Sequence, residues 1–173
     1  MTKAVLLDTS VLIHDPTSMT SFEDDTEVLI PIYVIMELDV LKDTPKREKS
    51  HVAHLARQAS NLILKLQTED KVKVVSHEGG LSISSLDRAN QIRYVDLLIL
   101  QTAIHLKDEY DLTLVSRDIN LRIICESVGV NSSDYTSDTS LDTLSGIGLK
   151  GFVPDVKFMN QLVKSYWQGA VRL

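Results

Sequence analysis

The chain has 173 residues, 43% of them apolar, enough for one domain with a single buried core. A formal net charge of -6, from 24 acidic and 18 basic side chains, argues against a general polyanion-binding surface. It does not exclude a nucleic-acid enzyme, because a cation pocket is itself acidic.

Cys125 is the only cysteine, which excludes an internal disulfide and a cysteine-built zinc site. No apolar run approaches the ~20 residues that cross a bilayer. The N-terminus leads straight into an apolar run rather than a signal peptide, so a soluble cytoplasmic protein is expected.

Residues 3–7 are continuously apolar and predict a short buried strand. Thr9 or Ser10 then caps a helix that Pro16 interrupts. Residues 27–30 form a second strand, and Pro31 suits the first turn of a helix over 32–42. Residues 43–50, Asp-Thr-Pro-Lys-Arg-Glu-Lys-Ser, read as a polar, basic loop. A long helix over 52–68 carries Leu55, Ala59, Leu62, Ile63 and Leu66 on one face. Residues 71–75 and 81–84 flank Ser-His-Glu-Gly-Gly and read as a hairpin. A helix over 94–107 holds Asp96 in its first turn. A strand follows over 112–116, then a helix over 118–128 stopped by Gly129. Beyond about Asn131, serine, threonine, aspartate and glycine dominate as far as Gly151, and one more helix is expected over 155–167.

This alternation predicts an α/β fold, a three-layer sandwich whose central, mostly parallel sheet of four to five strands is flanked by helices, plus the small hairpin. The domain is expected over 1–135. Residues 136–173 would be an extension that packs on it or is partly ordered.

Four acids stand out. Asp8 ends one apolar run and Asp118 follows another, while Glu37 and Asp96 lie inside apolar stretches where a lone charge is costly. Parallel sheets bind ligands outside the carboxyl ends of their strands, so Asp8 and Asp118 would share a rim. Each acid also has a plain structural role open to it. Asp8, Asp96 and Asp118 suit helix starts, and Glu37 could pair with Lys42. Four converging carboxylates without a matching basic cluster suggest a divalent-cation site.

The residues that carry a resemblance are Leu-Leu-Asp-Thr-Ser-Val-Leu-Ile-His-Asp-Pro, ending at Pro16, the helix Ile-Pro-Ile-Tyr-Val-Ile-Met-Glu-Leu-Asp with Glu37, Val-Asp-Leu-Leu-Ile-Leu with Asp96, and Ser-Arg-Asp-Ile-Asn-Leu-Arg with Asp118. In this order they resemble a PIN domain, and more narrowly the PIN module of PhoH-like proteins, over residues 1–135. No G-x-x-x-x-G-K-[ST] stretch is present, so the ATPase part of that architecture has no counterpart here.

The resemblance implies a divalent-metal-dependent nuclease, most simply an endoribonuclease leaving 5′-phosphate and 3′-hydroxyl ends. Asp8, Glu37, Asp96 and Asp118 would be both the catalytic set and the ligands of one or two Mg²⁺ or Mn²⁺ ions. Thr9, Ser10 and Ser116 would orient ligands or water, unless they serve only as turn and cap residues. Lys46, Arg47, Lys49, Arg117 and Arg122 would contact the nucleic-acid backbone, although a solvated loop and helix face account for them too. RNA is the expected partner, with a homodimer and an ATPase or helicase partner by analogy. The alternatives are a non-catalytic RNA- or protein-binding module and a toxin-type ribonuclease with an antitoxin.

Several other signals carry no function here. The glycines at 146, 148 and 151 lack the strand and the acid of a dinucleotide site. His51 and His54 lack a third ligand, Cys125 reads as core, and Asp15 and Asp39 read as structural.

Overall fold

Strands covered on both faces need continuous apolar runs rather than alternation, and the sheet is built from such runs. In the computed structural model, which describes residues 1–43, 50–76 and 88–136, β1 (Thr2–Leu7) is buried from Ala4 onward and β2 (Glu27–Pro31) from Val28 onward. β3 (Val72–Val75), β4 (Tyr110–Val115) and β5 (Asn131–Ser133) complete a five-stranded sheet in the order β3-β2-β1-β4-β5. Every pairing is parallel. The chain builds outward from β1 in one direction and then in the other, so the order reverses between β1 and β4. Such a reversal opens a crevice at the strands' carboxyl ends.

The helices are α1 (Thr9–His14), α2 (Ile32–Lys42), α3 (Ser50–Thr68), α4 (Arg88–Leu106) and α5 (Ile119–Ser127), with a 3-10 helix at Pro16–Thr20. They flank the sheet as a three-layer sandwich. In α3, Ala53, Ala56, Ala59, Ile63 and Leu66 form the buried stripe. Gly129, at φ +73, ends α5, and the N–H of Val130 returns to the Cys125 carbonyl at 2.9 Å.

Three expectations are corrected, and a fourth lies beyond the described residues. The cap of α1 is Asp8, not Thr9 or Ser10. β3, the first arm of the expected hairpin, joins the sheet parallel to β2, and the second arm, 81–84, lies outside the described residues. Because α4 begins at Arg88, Asp96 sits in its third turn rather than its first. The polar stretch Asn-Ser-Ser at 131–133 is a strand, held by pairing to β4 rather than by its own propensity. The helix expected over 155–167 and the glycine-rich stretch before it lie outside the described residues.

The His-Asp-Pro motif has a structural role. Asp15 caps the 3-10 helix through the Thr17 N–H at 2.9 Å and also accepts from the Tyr135 hydroxyl at 2.8 Å. Tyr135 meets Ser21 at 3.2 Å and sets its ring edge-on to His14 at 6.4 Å. Burial works against the Asp15 charge, but the Thr17 and Tyr135 hydroxyls and the Thr17 N–H hold its carboxyl below the usual range. The motif thus fastens the chain after β5 to the chain after α1. Tyr135→Phe should cost about 1 kcal/mol, a melting midpoint lower by roughly 2–4 °C. A calorimetric scan showing no shift would remove this anchor.

Candidate functional site

The register of β1 on β4 decides where the first two acids meet. Leu7 pairs with Val115, and the Asp8 N–H donates to the Val115 carbonyl at 3.1 Å. Asp8 therefore stands level with Ser116, and Asp118 follows two residues later. Both aspartates are helix N-caps. Asp118 Oδ1 accepts from the N–H groups of Asn120 and Leu121 at 2.8 and 3.3 Å. Asp8 Oδ1 accepts from the Thr9 N–H at 2.8 Å.

Asp8 is only 4% exposed, and a buried carboxylate must be satisfied. Its Oδ2 accepts from the hydroxyls of Ser10 and Ser116, each at 2.7 Å. Those hydroxyls are held in turn by main-chain donors: Arg117 N–H to Ser10 at 3.0 Å and Asp118 N–H to Ser116 at 3.0 Å. Each serine hydroxyl has one proton and gives it to Asp8. The 3.4 Å approach of the two hydroxyls is therefore a contact rather than a bond. The turn between β4 and α5 is thereby clamped onto Asp8. Oδ2 is saturated, while Oδ1 accepts only one bond of the roughly two that a carboxylate oxygen takes.

Glu37 and Asp96 reach the same region from helices. Val34, Glu37, Leu38 and Leu41 follow the i, i+3, i+4, i+7 rule along α2, with Val34 and Leu38 fully buried. Asp96, Ile99, Leu100 and Ala103 do the same along α4, and α2 packs against α4. Each acid takes the place of an apolar side chain in an inward stripe, so each is half-buried. Thr9 ties Glu37 to Asp8: its N–H donates to Asp8 and its hydroxyl to Glu37 Oε2. Burial, eased by the Thr9 hydroxyl, and the negative charges of Asp8 and Asp96 push the Glu37 carboxyl up to about 7. Burial and the charges of Asp8 and Asp118 push Asp96 up to about 6. Asp96 thus feels Asp8, Glu37 and Asp118, and Glu37 feels Asp8 and Asp96.

Among the described residues no group of three or more His, Cys, Asp or Glu side chains stands ready to hold an ion. The donor set nevertheless suits a hard divalent cation. It is all oxygen, its charges repel one another until neutralised, and Asp8, Glu37 and Asp118 take their described hydrogen bonds in a way that leaves acceptor capacity on each.

The remaining expected contacts divide. Arg117 is exposed beside Asp118. Arg122 is half-buried and faces Asp134 at 3.6 Å, while its carbonyl accepts from Ser132. It braces the end of β5 against α5. Lys46, Arg47 and Lys49 lie outside the described residues. Asp39 pairs with Lys42 at 3.7 Å on the surface, which leaves Glu37 to face inward. Cys125 is buried core, its thiol pushed up to about 12 by burial and by the charges of Glu126, Asp8 and Asp96. Side-chain motifs gave no sign of the two N–H groups that orient Ser10 and Ser116. Only strand register reveals them.

A family model for the PIN domain matches residues 5–136. The chain belongs to the PIN domain family. Members of this family are generally metal-dependent nucleases. This PIN domain is similar to proteins named Protein PhoH2. It is 31% identical over 159 residues to one from Bacillus subtilis, with 82% of this chain and 35% of that protein covered. It is 32% identical over 146 residues to one from Mycolicibacterium smegmatis, with 77% and 32% covered. The chain therefore spans about a third of these relatives' length. Its fold is also that of a domain of a functionally unknown protein from Methanocaldococcus jannaschii. That match has a TM-score of 0.55 at 16% identity and covers 80% of this chain and 94% of that one. Among the described residues no helix is long and apolar enough to cross a membrane.

Proposed function

We propose that this PIN domain is an endoribonuclease, in which Asp8, Glu37, Asp96 and Asp118 hold Mg²⁺ or Mn²⁺ and RNA is cut to leave 5′-phosphate and 3′-hydroxyl ends. The observation that carries the reading is the meeting of two strand-end aspartates at the β1–β4 reversal with two half-buried acids whose protons are held unusually tightly. Such a site is costly to keep unless a cation neutralises it.

When bound, the divalent ions supply an activated water and offset charge on the phosphorane-like transition state. The chain's own residues do the rest. Asp8 offers Oδ1, because the two serine hydroxyls occupy Oδ2. Asp118 offers Oδ2, because helix-cap bonds occupy Oδ1. Thr9 holds Glu37 by Oε2, so Oε1 is the oxygen Glu37 would offer. Arg117, together with the basic run at Lys46, Arg47 and Lys49, would hold the phosphate backbone.

The test is single-stranded RNA incubated with the protein and Mn²⁺. The expected result is cleavage that chelation stops, with 5′-phosphate ends, and about tenfold weaker low-salt binding for the Lys46→Glu, Arg47→Glu double variant. Metal-independent cleavage, or none, would overturn the nuclease reading. Unchanged affinity in the double variant would remove the basic run from it.

A further inference from the structure

The parallel sheet has a second rim. Thr2, Glu27 and Val72 open β1, β2 and β3 at the end opposite Asp8. The strand rises about 3.3 Å per residue, which puts that rim about 20 Å from Asp8. A cleft of about 570 Å³ opens there, the size of a small-molecule site. Met19, Val28 and Leu66, all buried, and the half-buried Phe22 give it an apolar floor.

Its walls are acidic. Glu23, Asp24 and Asp25 come from the turn before β2, and Asp70 from the end of α3. All four are exposed, and none enters an ion pair among the described residues. The two lysines that line the cleft are already engaged, Lys73 with Glu27 at 2.8 Å and Lys71 with Glu69 at 3.0 Å. Four carboxylates are therefore left without a counter-charge. Asp70 is also costly where it stands. Its φ of +58 is a left-handed conformation that glycine or asparagine enters more easily, and its charge adds to the negative end of α3.

Floor and walls together select the ligand. A small hard cation would meet the carboxylates but gain nothing from Met19, Phe22 or Leu66. A chain of methylenes carrying ammonium groups uses both, as a lysine does when it lays its stem on apolar surface and keeps its charge in water. We propose that this cleft binds a linear aliphatic polyamine, with its methylenes on the apolar floor and its ammonium groups on Glu23, Asp24, Asp25 and Asp70. Nothing in this site involves the acids of the other rim.

Equilibrium dialysis of labelled spermidine against the full chain, free of metal and RNA and at low salt, reads binding without reference to cleavage. One spermidine should bind per chain. Asp24→Asn with Asp25→Asn should weaken binding about tenfold, the combined scale of two exposed charge pairs. Asp70→Asn should weaken it about threefold, and asparagine accepts the same backbone conformation. All three positions are exposed, so the far-UV spectrum should not change. Asp8→Asn, at the other rim, should leave the affinity alone. Hexaamminecobalt(III) has the charge of spermidine but no methylene, and it should displace the label at least about tenfold less well. Absence of bound spermidine would overturn the proposal, as would an affinity that survives the Asp24, Asp25 and Asp70 changes or one that falls with Asp8→Asn. So would equal displacement by the cobalt complex, which marks an acidic surface that makes no use of the floor. Displacement by tetralysine at lower concentration than by spermidine would also overturn it, with a basic peptide as the occupant.

Discussion

Asp8→Asn should lower Mn²⁺-dependent RNA cleavage about 10³-fold or more, the scale on which losing a group that stabilises transition-state charge acts. Asparagine keeps the shape, and its one carbonyl oxygen can still accept from Ser10 and Ser116. Its amide then meets the Thr9 N–H, losing one bond. Against that loss, Glu37 and Asp96 are each relieved of a neighbouring negative charge. The melting midpoint of the metal-free protein should therefore hold or rise at pH 8, which separates lost chemistry from lost structure. Ser116→Ala should be milder, about 10–100-fold, because it loosens Asp8 without removing it. Cleavage by Asp8→Asn at near the unmodified rate, in a preparation free of contaminating nuclease, would sink the assignment.

The second large effect is a pH-dependent response to metal. Glu37 and Asp96 have carboxyls raised in the fold to about 7 and about 6, from ordinary values of 4.5 and 3.8. A raised carboxyl binds its proton more tightly folded than unfolded. Its contribution to stability is full below the unfolded value and is lost as pH rises through the folded one. Between about pH 4 and 7 the metal-free protein should therefore lose stability from this pair, and it should be weaker at pH 8 than at pH 5. Cation binding requires the deprotonated forms, so metal should restore most where protons are absent. At pH 8, Mn²⁺ at about 100 times its dissociation constant adds about 2.7 kcal/mol, a midpoint higher by roughly 5–10 °C for a chain of this size. At pH 5 the same ion must displace protons and should raise the midpoint much less. Equal shifts at both pH values in a calorimetric series would mean that these two acids do not face the ion.

Much of this was legible in the residues because apolar runs mark strands buried on both faces. β1, β2 and β4 read directly, as did α2, α3 and α5 from their stripes and stops. The gathering of the acids was legible for the same reason, since two of them end strands and two interrupt stripes. What escaped detection was decided by partners rather than by local pattern. β5 is three polar residues that become a strand only because β4 offers an edge. The first turns of α4, Arg-Ala-Asn-Gln-Ile-Arg, carry little apolar signal, so the helix read as starting too late and Asp96 as too near its end. Asp8 rather than Thr9 or Ser10 caps α1 because the helix starts directly where β1 stops, a boundary that three polar residues in a row leave open in the sequence. The pairing of Arg122 with Asp134 was hidden because its partner lies twelve residues away beyond a turn.

That double duty of Asp8 and Asp118 has a consequence for how such a protein can change over time. Asparagine or serine would start both helices nearly as well as aspartate does. A lineage that drifted to them would keep its architecture and its stability, and would grow easier to fold as the crowded charges vanished. On the nuclease reading proposed above, the step from working enzyme to inert scaffold would be short, smooth and invisible in the backbone, and only selection on the cut itself would guard against it.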